Sequence, residues 1–438
     1  MEKKKIEILE DLDVISEDIE LAFPLYEFKN RLNKTRAKMQ EKGIDVLYIT
    51  MPESIYYISG LRLNWYSTNS SPMWDSSKAM GIAIHVDYDD YIQFSIPDEA
   101  QTIMGATCTK AENLKIIADV PGDVYQFGKK IDSVQPGQLP LELIIKGLKD
   151  EGWLNNTTVA MEKGSPRPNW KTGQILADGF VSAGAKEVVD GTDILLELRG
   201  KKSPLELNYI EKASVLADIG HQAIMDGTYE GMTERDFVSL YTDAMFAAGG
   251  ESMAIVDQVG FGKGKAWWVH SPASRKKLMR GDPIRVDLCG VYNRYHSNQA
   301  RNYSFGTPEK SLVEDCRRGA LVMNRVSEIL ETNMYINDFW DQIKDFMKKE
   351  GMWGDQYWLG GYEIGIAFPP DWCGNFVYDS FVDMKDARFE EGMVVNFECG
   401  FGVVDTLMFK KDEAKILGNT PWKLQIIDPD GGGAYEAE

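Results

Sequence analysis

The sequence predicts an α/β (α+β) protein of two domains, and three observations carry that prediction. The chain has 438 residues, too many for one ordinary core when domains run to roughly 100–200 residues. Strand-like and helix-like segments alternate through its first half, the pattern of an α/β domain around a mixed sheet. The texture changes near residue 195, so a first domain over 1–195 and a second over 196–438 are expected.

Taken in order, Phe28 to Lys42 carries apolar or long side chains at helical spacing and ends at Gly43, a glycine stop. IDVLYIT (44–50) is a short apolar strand. ESIYYISGL, GIAIHVD and YIQFSI follow, then an amphipathic stretch near 137–152, then TVAMEKG and AKEVVDGTDIL. In ELRGKKSPLELNYIEKASVLADIGHQAIMDG, Ser203-Pro204 followed by Glu206 predicts a helix start. Proline fits a first turn, where its missing N–H costs nothing, and an acid complements the positive end of the helix dipole. Beyond it the chain reads as helices over 204–226 and 233–248, a strand and loop to His270, strands around 284–305, and helices over 309–331 and 336–350. Short strands and glycine-rich loops complete it, and no internal repeat is visible.

With 43% hydrophobic and 26% charged residues, the composition is that of a soluble globular protein. A formal charge of −20 argues against nucleic-acid binding, which needs a basic face to neutralise phosphates. The start, MEKKKIEILEDLDVISEDIE, has three lysines but no apolar run behind them. No uncharged stretch approaches the roughly 20 residues of a membrane span, so no membrane partner and a cytoplasmic location are expected. Five cysteines are widely spaced without a CxxC pair, which excludes a zinc ribbon and predicts free thiols in a reducing compartment.

Only four histidines are available. His85 falls in an alternating strand and His221 inside a helix, where a lone histidine is structural. His270 lies in the loop KAWWVHSPAS, and His296 in VDLCGVYNRYHSNQAR among Asp287, Arg294 and Arg301. Polar groups packed among aromatics are where pKa values are tuned for acid–base work.

RGKKSPLELNYIEKASVLAD, GDPIRVDLCGVYNRYHSNQAR, GGYEIGIAFPP and EEGMVVNFECG resemble, in order and spacing, the creatinase/prolidase/methionine aminopeptidase superfamily with its pita-bread fold. EFKNRLNKTRAKMQEKGIDVLYITMPESIYYISG looks like the amino-terminal domain of its creatinase and prolidase members. The resemblance covers nearly the whole chain. It implies a creatinase-type α/β domain followed by a pita-bread catalytic domain.

Metal-dependent members of that superfamily hold two divalent ions with two aspartates, a histidine and two glutamates. Carried over by motif, the first aspartate falls on Asp287 and the second on Asn298, while the histidine falls on Tyr362. The glutamates fall on Glu398 and Val404, and Pro369 stands where aminopeptidases carry a further histidine. An amide, a phenol and a valine cannot balance two dications, so no metal and no cofactor are expected. Glu363 could lend a carboxylate to a single ion.

Creatinase and ectoine hydrolase are the metal-free branches, and RYH with an arginine five residues on, and GY-x-IGIAFPPDW, resemble the second more. The resemblance implies a hydrolase opening a C–N bond of a small zwitterionic or cationic metabolite, ectoine-like, creatine-like or another guanidino or methylated amine. Ordinary metal-dependent Xaa-Pro peptidase activity is not expected. A non-catalytic binding module and a lyase acting on an onium substrate are the alternatives.

Without metal, side chains must supply base, acid and charge stabilisation. In creatinase the histidine matching His270 is the proton shuttle. Asp287 and Glu398 could share a proton, one with a raised pKa, or grip a cationic substrate, or Asp287 or Glu363 could attack as nucleophile. Tyr362 could donate to a developing oxyanion or fill the histidine's space. His296 and Arg301 could orient the site or bind a carboxylate, and Arg301 could equally be a structural ion pair.

Trp65, Phe368 and Trp372, with Trp267 and Trp268, could cage an ammonium group or be plain core. Asn298 and Asp371 complete the substrate-binding set. Glu363 is an addition that would favour a more cationic substrate. A homodimer is expected, with the loop at 62–76 acting on the partner's site as in creatinase-like dimers.

Overall fold

The structure is a computed structural model that describes residues 14–15, 20–62, 79–117, 125–126, 129–130, 138–255, 258–266, 272–431 and 433–437. It divides into two compact units, one of Glu10–Arg199 and one that includes Gly200–Glu438. His270, Trp65, Trp267 and Trp268 lie outside the described residues.

In the N-terminal unit, six strands form one mixed sheet: β1 (Val46–Ile49), β2 (Gly81–His85), β3 (Tyr91–Ser95), β4 (Leu114–Ile116), β5 (Thr158–Met161) and β6 (Glu187–Asp190). Their order is β6-β5-β1-β2-β3-β4. β1 is buried along its whole length and runs parallel to β5, as its unbroken apolar run requires of a central strand. Helix α1 (Leu25–Glu41) precedes β1. ESIYYISGL forms helix α2 (Pro52–Ser59), with Pro52 in its first turn and Gly60 at φ 85° closing it. The amphipathic stretch is helix α3 (Gln138–Asp150), and helix α4 (Trp170–Ala183) is capped by the Asn169 side chain.

The C-terminal unit starts on the helix signalled by Ser203-Pro204. In helix α5 (Pro204–Gly227) the Ser203 hydroxyl accepts from the Glu206 amide and the Glu206 carboxylate from the Ser203 amide, a full capping box. Thr233 and Asp236 repeat the device for helix α6 (Glu234–Ala247). Helix α7 (Lys310–Ile329) and helix α8 (Ile336–Lys349) follow. On α8 Ile336, Phe339, Trp340, Ile343 and Met347 form one buried stripe at helical spacing.

Ten strands make the unit's sheet: β7 (Val259–Phe261), β8 (Pro283–Tyr292), β9 (Tyr295–Phe305), β10 (Gly360–Tyr362), β11 (Val377–Asp379), β12 (Val394–Glu398), β13 (Val404–Lys410), β14 (Glu413–Ile416), β15 (Gln425–Ile427) and β16 (Ala434–Glu436). The main order is β7-β8-β9-β13-β12-β10-β11, with β14 on β13 and β15 between β9 and β16. β8 and β9 are antiparallel and turn through Asn293 and Arg294, both at positive φ, the backbone of a type I′ hairpin. Arg294 is held there by its guanidinium, which donates to Ala367 O and Ser252 O.

Helix α5 packs on β8 and β9. At Gly290 a Cβ would stand 1.8 Å from Ala213 O, so only glycine permits this helix–strand approach. Phe339 and Trp340 of α8 interlock with Phe389 and with Tyr378, Phe397 and Phe409 of the remaining strands in one core cluster. This rigid sheet carries the site. Among the described residues no helix is long and apolar enough to cross a membrane. All five cysteines are free.

Candidate active site

A cavity of about 380 Å³ opens over the central strands of the C-terminal unit. Asp287 reaches it from β8, Tyr362 from the end of β10, Glu398 from the end of β12, and Asp371, Trp372 and Cys373 from the loop after Pro370. The antiparallel registers Gly360↔Glu398 and Cys289↔Asn298 bring these distant segments together.

Behind the cavity an amide network fixes the two carboxylates. Asn298 Nδ2 donates to Asp287 Oδ1 at 2.7 Å and to Leu288 O at 3.2 Å. Asn396 Nδ2 stands 3.4 Å from Asn298 Oδ1 and 3.5 Å from Glu398 Oε1. Asn396 Oδ1 accepts from the Tyr362 amide at 2.7 Å. The Thr406 hydroxyl ties Asn298 to β13, accepting from its amide and donating to its carbonyl. Burial and then the Asp287 charge push the Glu398 carboxyl up to about 7.

Tyr362 is held protonated: burial and then Asp287 move its phenol well above the usual range. Its oxygen accepts from Trp372 Nε1 at 2.9 Å, leaving the phenolic proton to donate. Cys373 beside it is pushed up to about 12 by burial and by Asp371, and so is a neutral thiol rather than a nucleophile.

Other candidates fall elsewhere. Glu363 does not line the cavity; it forms an ion pair with Lys202 Nζ at 2.5 Å, with side-chain exposures of 10% and 2%, and also accepts from the Asn375 amide. A substrate-gripping role for it is corrected accordingly. Arg301 is likewise structural: its guanidinium donates to Asp405 at 2.6 Å and to the carbonyls of Thr420, Pro421, Val404 and Ala300. His296 is buried, accepts from the Ala254 amide through Nε2 and meets Arg294 O through Nδ1. Burial and then Arg294 keep it neutral, well below the usual histidine range.

Phe368 is buried against the Arg294 guanidinium. Asn298 is buried as well and reaches the site through Asp287. His221 sits against the Tyr303 hydroxyl at 2.7 Å, and His85 accepts from the Asp87 amide, so both are structural. Arg285, Gln258, Tyr357 and Trp358 are among the lining residues that escaped the sequence reading. Arg285 had a signal, because it lies two residues before Asp287 on a strand and therefore shares its face.

Two family profiles match the chain: metallopeptidase family M24 over residues 208–427 and the creatinase/prolidase N-terminal domain over 31–200. The chain is 25% identical over 405 residues to a Xaa-Pro dipeptidase of Pyrococcus furiosus, covering 90% of this chain and 99% of that one. It is 24% identical over 444 residues to an ectoine hydrolase of Halomonas elongata, covering 93% and 99%. Its fold is similar to that of a dipeptidase from Pyrococcus horikoshii OT3, with a TM-score of 0.69 at 18% identity over 90% of this chain and 99% of that one.

Metallopeptidase chemistry implies metal ions, and the donor set does not fit a pair of them. An N–H of Asn298 points at the Asp287 oxygen that a cation would need, and Tyr362 presents a protonated phenol. The β13 residue facing the cavity is Val404, which has no donor atom. Among the described residues no three His, Cys, Asp or Glu side chains gather as a metal-binding group.

Proposed function

Because the chain belongs to metallopeptidase family M24, with a creatinase/prolidase N-terminal domain, we propose that it is a hydrolase of that family that works without divalent metal. It opens a C–N bond of a small zwitterionic or cationic nitrogenous metabolite, an amidine or guanidine before a dipeptide. The contact from Asn298 Nδ2 to Asp287 Oδ1 carries this reading, because it gives one carboxylate an amide partner where a bridging ion would demand an anion.

Water addition needs a base, an acid and a place for developing charge. With its carboxyl near 7, Glu398 is poised to take a proton from water at neutral pH and return it to the departing nitrogen. The new C–O bond forms as the C–N bond breaks, and the proton balance closes on the same oxygen. Asp287, held by Asn298, faces the cationic carbon–nitrogen group. The Tyr362 proton donates to the heteroatom whose lone pair is freed as addition neutralises the cationic group.

Dipeptidases among the relatives support the rival reading, and a peptide is also a C–N bond. Incubating the full chain, after chelation, with a panel of cyclic amidines, guanidino acids and Xaa-Pro dipeptides separates them. Mass spectrometry should find one water added to an amidine or guanidino compound and intact dipeptides. Dipeptide cleavage that appears only with added metal would overturn the proposal.

A further inference from the structure

Building on that hydrolase reading, we propose that Arg285 holds a carboxylate of the substrate, so that the cavity selects nitrogenous acids over their carboxylate-free counterparts. Arg285 and Asp287 project from the same face of β8 and both line the cavity. Arg285 is the one cationic side chain among the described lining residues. Its guanidinium makes a single long hydrogen bond among the described residues, 3.5 Å from Nη1 to Gly402 O, and no ion pair there. The buried Arg301, by contrast, donates to a carboxylate and four carbonyls.

A guanidinium offers five N–H donors in a planar fork that matches a carboxylate, and most of those of Arg285 are left for a ligand. The backbone makes room for it. Gly402 sits at φ +76°, and a Cβ there would lie 3.0 Å from Arg285 Nη1 and 2.9 Å from Asn302 Nδ2. Any other residue would be strained and would crowd the head group.

The remaining charges set the polarity of the ligand. Asp287, Asp371 and Glu398 share the cavity with Arg285, and Trp358 and Trp372 stand on its wall. A simple cation would meet Arg285 as a like charge, and a simple anion would meet the three carboxylates. A molecule with a carboxylate on Arg285 and an amidinium or guanidinium toward Asp287 and Glu398 satisfies both. At about 380 Å³ the cavity is at the small end of ligand sites, suited to a metabolite.

The test is calorimetric binding to the full chain and to Arg285→Gln and Arg285→Lys. The probes are ectoine and guanidinoacetate against the same molecules without a carboxylate, 2-methyltetrahydropyrimidine and methylguanidine. Wild type should prefer an acid to its counterpart by about 10–100-fold, the range of one charge-assisted hydrogen-bonding contact. Arg285→Gln should lose that preference, binding the acid less tightly and the cationic carboxylate-free probe at least as tightly as wild type, because the like charge is gone. Arg285→Lys should keep part of it, and it gives the result if the glutamine variant does not fold. Equal binding of acid and counterpart by wild type, no binding of either acid, or a preference that survives in Arg285→Gln overturns the proposal. Binding needs no turnover, so failure of the hydrolase reading would show separately, as probes that bind without gaining water.

Discussion

Replacing Glu398 with glutamine should stabilise the protein at alkaline pH while abolishing its activity. The carboxyl is moved from 4.5 to about 7 by burial and by Asp287. At 1.36 kcal/mol per pH unit that is about 3 kcal/mol, and the open cavity, which admits water, reduces it to about 2–3 kcal/mol. Because the folded state holds this proton more tightly than the unfolded chain, wild-type stability falls as pH rises from about 4.5 to about 7, and the loss is complete above. The amide carries no such penalty. Urea denaturation of both proteins, following the same unfolding transition, should give midpoints that coincide at about pH 4, below the unfolded pKa, and a gap in favour of Glu398→Gln that opens toward pH 8. A gap that is constant with pH, or that opens on acidification, refutes the assignment. In activity, kcat/KM of wild type should rise with pH through a limb near 7 as Glu398 becomes a base.

Tyr362→Phe should lower kcat about 100-fold with KM little changed, since one donor to developing charge contributes on that scale; steady-state kinetics with an unaltered kcat would remove the phenol from the chemistry. Lys202→Met should destabilise the protein by about 3–5 kcal/mol by leaving Glu363 buried without its cation, and Lys202→Met combined with Glu363→Leu should recover most of it. Urea titration reads both, and a loss below about 1 kcal/mol for the single variant would mean that Glu363 does not depend on Lys202.

The sequence made local devices legible and hid distant partners. Ser203-Pro204 with Glu206 announced the start of α5 because a capping box is written within four consecutive residues. Asp287, Tyr362 and Glu398 lay in recognisable motifs, and one cavity gathers them. Glu363 was misread because its partner, Lys202, lies 161 residues away, and no spacing rule connects them. Arg301 left two readings open until Asp405, 104 residues on, took its guanidinium. ESIYYISGL is too short for its apolar run to distinguish helix from strand, and Pro52 and Gly60 were the better signals. Arg285 could have been found by alternation along β8, but its lack of a strong partner belongs to the folded state alone.

We propose that this M24 fold carries out its chemistry with side chains in place of two metal ions. Turnover of an amidine or guanidino substrate, measured on protein whose metal content is determined before and after chelation and again after adding back zinc, manganese or cobalt, tests it most directly. Metal should stay substoichiometric before and after chelation, and kcat should be the same in all three states. Two tightly bound divalent ions per chain, with activity lost on chelation and restored by the metal, would contradict it.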